Sequence, residues 1–481
     1  MLSSTWPIPD WPTVTPEEQG IDSAGLARFL EQHVIPNADC IHSVMIIRNG
    51  HIVLEVYVHP YTADDLHDLR SVTKSHTSTL IGMAIERGAI QGVEAKAYDF
   101  FPDQNPDDGK RQITLEHLLT MSSGLLAGDD VTIPELFISE DPLRMALAQP
   151  MRVDPGTEFE YSTAGSHIVA GIFHAATGQQ PADFAREHLF TPIGVNHFVW
   201  QTDQQGLSNG GYGLWLRPRD MARTGYLYLN QGNWNGQQIV PAEWVAASTR
   251  ATGPATYYGY HWWLPEVEGP RRYLAGGYGG QNIVVVPETN LNVVITAAGI
   301  DIPGMTDISF NDILSDEPLP PNPEGLAALQ TAIAALENPA PQPVPELPAL
   351  SEQISGVQYH FDFEPQHFSS VRALWWKTAS LTFTPGADEA TFTLGTPEGD
   401  LSLQVGLDGV LRRTPMPDPR SQGAAARGAW QPDGSFVMDL AFIGEPERFK
   451  LTCQFDDQRL TISAIEQLSS MDMTATGQRA G

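Results

Sequence analysis

Nine prolines fall between Pro318 and Pro348. Each fixes its own φ and lacks a backbone donor, so neither a sheet nor a long helix can run through such a stretch. The chain must therefore fold in at least two parts. Pro318, Pro320, Pro321 and Pro323 open the segment, and Pro339, Pro341, Pro343, Pro345 and Pro348 close it. Between them, Glu324 to Leu336 reads as a short Ala/Leu-rich helix. The segment is expected to act as a semi-rigid spacer that few contacts cross. The division this gives is 1–312, a linker over 313–350, and 351–481.

With 481 residues, both parts are long enough to bury a core. In the first, Ser43 to Val58 forms two β-rich runs around Asn49-Gly50, a strong hairpin signal, after a helix over Ser23 to His33. Strands return at Tyr258 to Leu264, Tyr273 to Gly277, Asn282 to Val286 and Asn292 to Ala298. The section between has helical periodicity, as in Thr114 to Leu119 and Pro218 to Leu229. The expectation is an α/β (α+β) unit, a largely antiparallel sheet carrying a helical lobe. In the second part, Ile354 to Gln467 reads as short strands such as Ser380 to Thr384, Ala390 to Leu394, Leu401 to Val405 and Phe449 to Phe455. Turns at Pro385-Gly386, Asp408-Gly409 and Asp433-Gly434 separate them. An all-β barrel or sandwich is expected.

The candidate chemistry lies in Asp68-Leu69-Arg70-Ser71-Val72-Thr73-Lys74, just before the apolar run Leu80 to Ile85 that predicts a helix ending near Gly88. Residues i and i+3 share a helix face, so the Lys74 amine can reach the Ser71 hydroxyl. A serine is a weak nucleophile until a neighbouring base takes its proton. A Ser-x-x-Lys quartet arises by chance roughly once in a chain of this size. Here, however, Lys74, Lys96, Lys110, Lys377 and Lys450 are the only lysines, so lysine is not generic solubilising charge.

Three further features bear on chemistry. Tyr161-Ser162-Thr163 follows a Pro155-Gly156 turn and precedes the apolar run Ile168 to Phe173. Tyr161 there is a proton shuttle or an ordinary half-buried tyrosine. The cluster Ala275-Gly276-Gly277-Tyr278-Gly279-Gly280 is a glycine-rich bulge or an edge where a substrate approaches backbone N–H groups. Gly206-Leu207-Ser208-Asn209-Gly210 matches the Gly-x-Ser-x-Gly nucleophile elbow. It lacks the buried strand before and the helix after that this motif needs.

Composition excludes several classes. A formal charge of −31 opposes nucleic acid and anionic membrane surfaces as partners. No run approaches the ~18 apolar residues of a spanning helix, and the first residues lack a secretory-signal pattern. Cys40 and Cys453 are far apart, so no disulfide and a cytoplasmic location are expected. No metal-ligand spacing occurs, so neither a metal nor a cofactor is expected, and the oligomeric state stays open.

Taken together, residues 15 to 300 resemble the serine β-lactamase-like superfamily. The branch is that of class C β-lactamases, D-alanyl-D-alanine carboxypeptidases, family VIII carboxylesterases and 6-aminohexanoate-oligomer hydrolases. Ser71-Val72-Thr73-Lys74 resembles the first motif, and Tyr161-Ser162-Thr163 the Tyr-x-Asn second motif. The stretches Ile113 to Leu125 and Pro218 to Ala222 are similar to segments common in the group. The resemblance implies Ser71, Lys74 and Tyr161 as catalytic residues. Ala275-Gly276-Gly277 falls where the family has Lys-Thr-Gly, which implies an oxyanion hole of the Ser71 and Tyr278 N–H groups. Thr163, Ala275, Gly276 and Gly277 would meet the substrate. Two departures matter: Thr163 replaces an asparagine, shortening or losing a polar contact, and Ala275 replaces a lysine that helps hold a substrate carboxylate. The implied activity is hydrolysis of a neutral, small-molecule ester or linear amide through an acyl-enzyme. The alternatives are a D-amino-acid peptidase or β-lactamase, and a catalytically silent binding protein.

Overall fold

Strand β1 (Ile41–Arg48) is buried along its whole length, and the reason is visible in its alternation. Met45 and Ile47 face one core, while Val44 and Ile46 face another. The computed structural model describes residues 4–266, 269–299, 313–362, 366–367, 373–374, 376–396, 399–416, 422–469 and 471–480. β1 turns at Asn49-Gly50, both at positive φ, into β2 (His51–Tyr57). It also pairs antiparallel with a strand nearly 250 residues later. With β3 (Tyr273–Gly277), β4 (Gln281–Val286) and β5 (Leu291–Ala297), the order is β2-β1-β5-β4-β3. Every pairing is antiparallel.

Helices cover both faces, which is why the strands read as continuous apolar runs. On one face lie α1 (Ser23–Phe29), which Asp22 caps by accepting from Ala24 and Gly25 N–H, and the linker helix. The other face carries the helical lobe, including α2 (Val72–Glu86), α3 (Thr163–Thr177) and α4 (Pro218–Leu229). Of the expected strands, Tyr258 to Leu264 forms only isolated bridges, Tyr258 to Trp263 and Trp263 to Leu274. The chain doubles back there at His261, whose φ is +61°.

The expected linker behaves differently along its length. Residues 300–312, up to the expected boundary, lie outside the described residues. The helix α5 (Pro323–Glu337) is no spacer: Leu329, Ala332 and Leu336 are buried against α1 and the sheet. Burying each leucine is worth roughly 1.5–3 kcal/mol. From Pro339 to Pro348 the chain carries no regular structure.

The C-terminal part is a barrel rather than a sandwich. Its strands are β6 (Tyr359–Phe361), β7 (Thr378–Phe383), β8 (Glu389–Thr396), β9 (Gly399–Gly406), β10 (Arg412–Thr414), β11 (Ala424–Trp430), β12 (Phe436–Phe442), β13 (Arg448–Phe455), β14 (Arg459–Glu466) and β15 (Asp472–Arg479). They run in the order β9-β8-β7-β6-β15-β14-β13-β12-β11, with β10 beside β11. A short parallel pairing of Val405 with Ala426 and Gly406 with Arg427 closes the ring. Alternating inward residues, among them Phe392, Val405, Phe436, Cys453 and Ile462, fill it.

Contrary to expectation, many contacts cross to the first part. Arg413 makes a bidentate pair with Asp65 at 2.9 and 2.7 Å. Gln422 exchanges two hydrogen bonds with the Leu66 backbone. The loop 443–447, between β12 and β13, is buried against the first part. Among the described residues no helix is long and apolar enough to cross a membrane.

Candidate active site

Ser71 sits at the N-cap of α2, half-buried, with Lys74 one turn into the helix and 1% exposed. The expected i, i+3 meeting occurs: Lys74 Nζ donates to Ser71 Oγ at 2.9 Å. It also donates to Thr163 Oγ1 at 2.9 Å and to the Gly211 carbonyl at 3.1 Å. An ammonium has three protons, and these three acceptors match them. The cage is tight on the Gly211 side, where a side chain would meet Thr163 and the Lys74 stem.

Thr163 opens α3 behind its N-cap Ser162, whose hydroxyl accepts from Gly165 N–H. The sequence suggested that threonine in place of asparagine shortens or loses a polar contact. The structure keeps the contact to Lys74 and adds a second residue behind it. Thr163 Oγ1 donates to Asp129 Oδ2 at 2.9 Å, and Thr163 N donates to Asp129 Oδ1 at 2.6 Å. The short threonine and the Asp129 carboxylate thus form one chain ending on Lys74. Tyr161 meets Lys74 through its ring, whose centroid lies 4.7 Å from Nζ. Among the described residues its hydroxyl has no hydrogen bond to Ser71 or Lys74. The ring stacks on Trp263 at 5.6 Å, and Trp263 stacks in turn near Tyr257.

The strand β3 ends beside the nucleophile's own segment. Gly277 lies so close to the Leu69 carbonyl that a Cβ there would collide with it, which explains glycine at this position. The two N–H groups expected in the oxyanion hole, of Ser71 and Tyr278, therefore lie on segments packed backbone to backbone. Among the described residues neither donates to a turn, loop or side-chain acceptor. Gly276 and Gly277 are partly exposed at this edge, and Tyr278 is exposed. Ala275 is not placed to meet a substrate. It is 1% exposed, with its methyl in the core shared with α2, because strand alternation turns it inward.

The other side of Ser71 is held by the barrel. Arg70 adopts φ +48°, an uncommon region for a residue other than glycine. Its N–H and Nε lie 3.0 and 3.2 Å from the two Asp68 oxygens. Its Nη2 pairs with Glu447 Oε1 of loop 443–447. Burial pushes the Glu447 carboxyl up to about 7 although Arg70 pulls it down, and Glu445, Asp68 and Glu466 add to the rise. Burial, then Glu466 and Glu447, pushes the Tyr278 phenol up to about 12. Arg70 opposes that rise. Among the described residues no cluster of metal-ligating side chains occurs.

Ser208, in the Gly-x-Ser-x-Gly stretch, is fully buried and accepts from Ala182 N–H. The segment matters for another reason: Gly211, just beyond it, supplies the carbonyl on Lys74. A backbone carbonyl leaves no side-chain signal in a sequence. Asp129, 32 positions before Tyr161, and Glu447 were likewise missed, because nothing local ties them to Ser71.

A helical lobe on a five-stranded antiparallel sheet, with a Ser-x-x-Lys pair at the helix start, defines a serine β-lactamase-like protein. The family model described as Beta-lactamase matches residues 26–300, more than half of the chain, and the chain belongs to that family. It is 25% identical over 287 residues to 6-aminohexanoate-dimer hydrolase of Paenarthrobacter ureafaciens, covering 53% of this chain and 72% of that protein. It is 24% identical over 303 residues to penicillin-binding protein 4 of Amycolatopsis lactamdurans, covering 53% and 78%. Among solved structures, a proposed 6-aminohexanoate-dimer hydrolase from Bacillus anthracis superposes with a TM-score of 0.52 at 20% identity, covering 69% of this chain and 86% of that one.

Proposed function

We propose that the protein is a serine hydrolase acting through an acyl-enzyme on neutral esters or linear amides. The observation that carries this reading is Lys74 Nζ at 2.9 Å from Ser71 Oγ inside a buried cage. Once the Lys74 ammonium has released one proton to solvent, its free amine takes the Ser71 proton while Oγ bonds to the substrate carbonyl carbon. The carbonyl oxygen becomes an oxyanion facing the Ser71 and Tyr278 N–H groups. As the bond to the leaving group breaks, the proton passes from the Lys74 ammonium to that group, with the Tyr161 hydroxyl as relay. Such contacts commonly tighten only when substrate is bound, and the Tyr161 ring already lies 4.7 Å from Lys74 Nζ. Water then attacks the acyl-enzyme by the same route, restoring Ser71.

The charge pattern supports a substrate without a carboxylate. Position 275 offers a buried methyl, Arg70 is engaged by Asp68 and Glu447, and the charged groups acting on Tyr278 are Glu466 and Glu447, with Arg70 opposing. A charge-assisted hydrogen bond is worth about 1.5–3 kcal/mol, roughly ten- to a hundredfold in binding or rate. The relative named 6-aminohexanoate-dimer hydrolase supports the linear-amide half of this reading, while the lack of a carboxylate rests on the charge pattern alone, since that dimer ends in one. The test is kcat/KM of the unmodified protein for a p-nitrophenyl ester and a linear anilide against nitrocefin. The ester or anilide should be turned over at least tenfold faster. Faster nitrocefin turnover would replace this reading with a β-lactamase.

A further inference from the structure

Three residues of loop 443–447, Gly444, Pro446 and Glu447, join the barrel to the two segments that flank Ser71 and Tyr278. The Asp68 N–H donates to the Gly444 carbonyl at 2.8 Å. Gly444, at φ +81°, presses so closely on Leu66 that a Cβ would collide with the Leu66 carbonyl. Pro446 packs on Gly279, one residue past Tyr278, where again a Cβ would collide, and its carbonyl accepts from Gly299 N–H at 2.9 Å. Glu447 pairs with Arg70, one residue before Ser71. The same five-residue loop therefore touches the chain on both sides of the expected oxyanion hole.

The form of the Arg70 contact is specific. A non-glycine residue at φ +48° persists only where its surroundings over-determine it. Arg70 is held at its backbone by Asp68 and at its guanidinium by both Asp68 and Glu447, and it is 8% exposed. Glu447 Oε1 meets Arg70, while its buried Oε2 has no hydrogen-bond partner among the described residues. A carboxylate so placed has one evident function, to fix the guanidinium. The turn at Arg70 in turn sets the direction of the Ser71 N–H.

We propose that Glu447, contributed by the barrel, is a positioning residue for the oxyanion hole: through Arg70 it aims the Ser71 N–H, while Gly444 and Pro446 of the same loop seat the turn bearing the Tyr278 N–H. The catalytic centre is then shared by both parts of the chain, although the reacting groups all belong to the first. This rests on the reading of Ser71 as nucleophile. Oxyanion donors act in the transition state rather than on bound substrate. Misaiming one should therefore lower kcat more than it raises KM.

The experiment compares the full-length parent with Glu447→Gln, Glu447→Ala and Arg70→Lys. Arg413→Ala serves as a control that breaks the other ion pair between the two parts, to Asp65. Four quantities are read: kcat and KM on a p-nitrophenyl ester, the Ki of a boronic acid that forms a tetrahedral adduct, the fluorophosphonate labelling rate and site, and the thermal midpoint. Each Glu447 variant should lower kcat by ~10–100-fold with KM within about threefold. The boronic acid should weaken in step, and labelling should be slower yet still confined to Ser71. Arg413→Ala should lower the midpoint and leave kcat within about twofold. Glu447→Gln, nearly isosteric, covers the case in which Glu447→Ala does not fold, and Arg70→Lys tests the same link from its other end. If Glu447→Gln and Arg70→Lys keep kcat and boronic-acid Ki within twofold of the parent, Glu447 only joins the two parts and the proposal fails. If the parent itself does not label at Ser71, the underlying reading fails first, and the two failures are thereby distinguished.

Discussion

On the C-terminal side of Ser71, everything that touches the chemistry comes from one lobe. Lys74 lies one helical turn away, Thr163 and Gly211 close around its amine, and Asp129 stands behind Thr163. On the N-terminal side, the holding groups come from the other end of the chain. Arg70 reaches Glu447 across a separation of 377 residues, and Asp68 hydrogen-bonds to Gly444. The first flank sets which proton moves; the second sets where a backbone N–H points. Reactivity here is local, and geometry is long-range. Substitutions on the two flanks should then fail in different ways: the first through loss of a proton acceptor, the second through loss of transition-state fit.

The largest effect should come from Lys74→Ala. General-base loss typically costs ~10²–10⁴-fold in rate, and here it also strips Thr163 Oγ1 and the Gly211 carbonyl of their donor. Steady-state rates alongside circular dichroism would check this. A variant that kept activity within tenfold of the parent would break the assignment of the local flank. Tyr161→Phe sharpens the same side, since it keeps the ring over Nζ and removes only the hydroxyl. The relay predicts a fall of ~10²-fold or more, and the Lys74→Ala/Tyr161→Phe double variant should be little worse than the poorer single, because one proton-transfer unit is disabled once. Near-parental rates in Tyr161→Phe would leave the ring as the whole contribution.

A smaller effect is expected from Asp129, which touches Lys74 only through Thr163. Asp129→Ala should cost ~10-fold in kcat, and Asp129→Asn less, because an amide oxygen still accepts from one Thr163 donor. If Asp129→Ala lost as much as Lys74→Ala, the carboxylate would belong among the reacting groups rather than behind them.

Smallest is a pH effect on stability at the seam between the two parts. His67, stacked in a buried group with His42 and Tyr61, is depressed to about 4, by burial above all, with Asp65 opposing. A depressed imidazole binds its proton in the unfolded chain first, so its contribution is present above pH ~6.5 and is lost as pH falls toward 4. His67→Gln removes that titration. Its stability loss between pH 7 and pH 5, read from urea unfolding, should be ~1–2 kcal/mol smaller than the parent's. An unchanged pH dependence would mean that His67 does not titrate on unfolding.

The two flanks also differ in how much of them the sequence discloses. Ser71 and Lys74 are readable because helix periodicity alone brings i and i+3 together. The Asn49-Gly50 hairpin and strands β3 to β5 are readable because their turn chemistry and alternation are local. The barrel was readable as strands but not as a closed ring, since closure rests on two residue pairs, Val405 with Ala426 and Gly406 with Arg427. The stretch Tyr258 to Leu264 has strand composition, yet folds back at His261 to pack aromatic rings beside Tyr161. The linker's prolines marked a break in regular structure, but the apolar face of α5 still found a place on the sheet. Asp129, Gly211 and Glu447 had no local signature because tertiary packing alone brings them to Ser71 and Lys74.

The most direct test of the account is where an acyl or phosphonyl group lands. The full-length protein, treated with a fluorophosphonate or quenched during turnover of an activated ester, would be digested and mapped by mass spectrometry. The account predicts a single adduct on the peptide carrying Ser71, absent in Ser71→Ala while the far-UV spectrum is unchanged. An adduct on Ser208, or turnover that persists in Ser71→Ala, would contradict it.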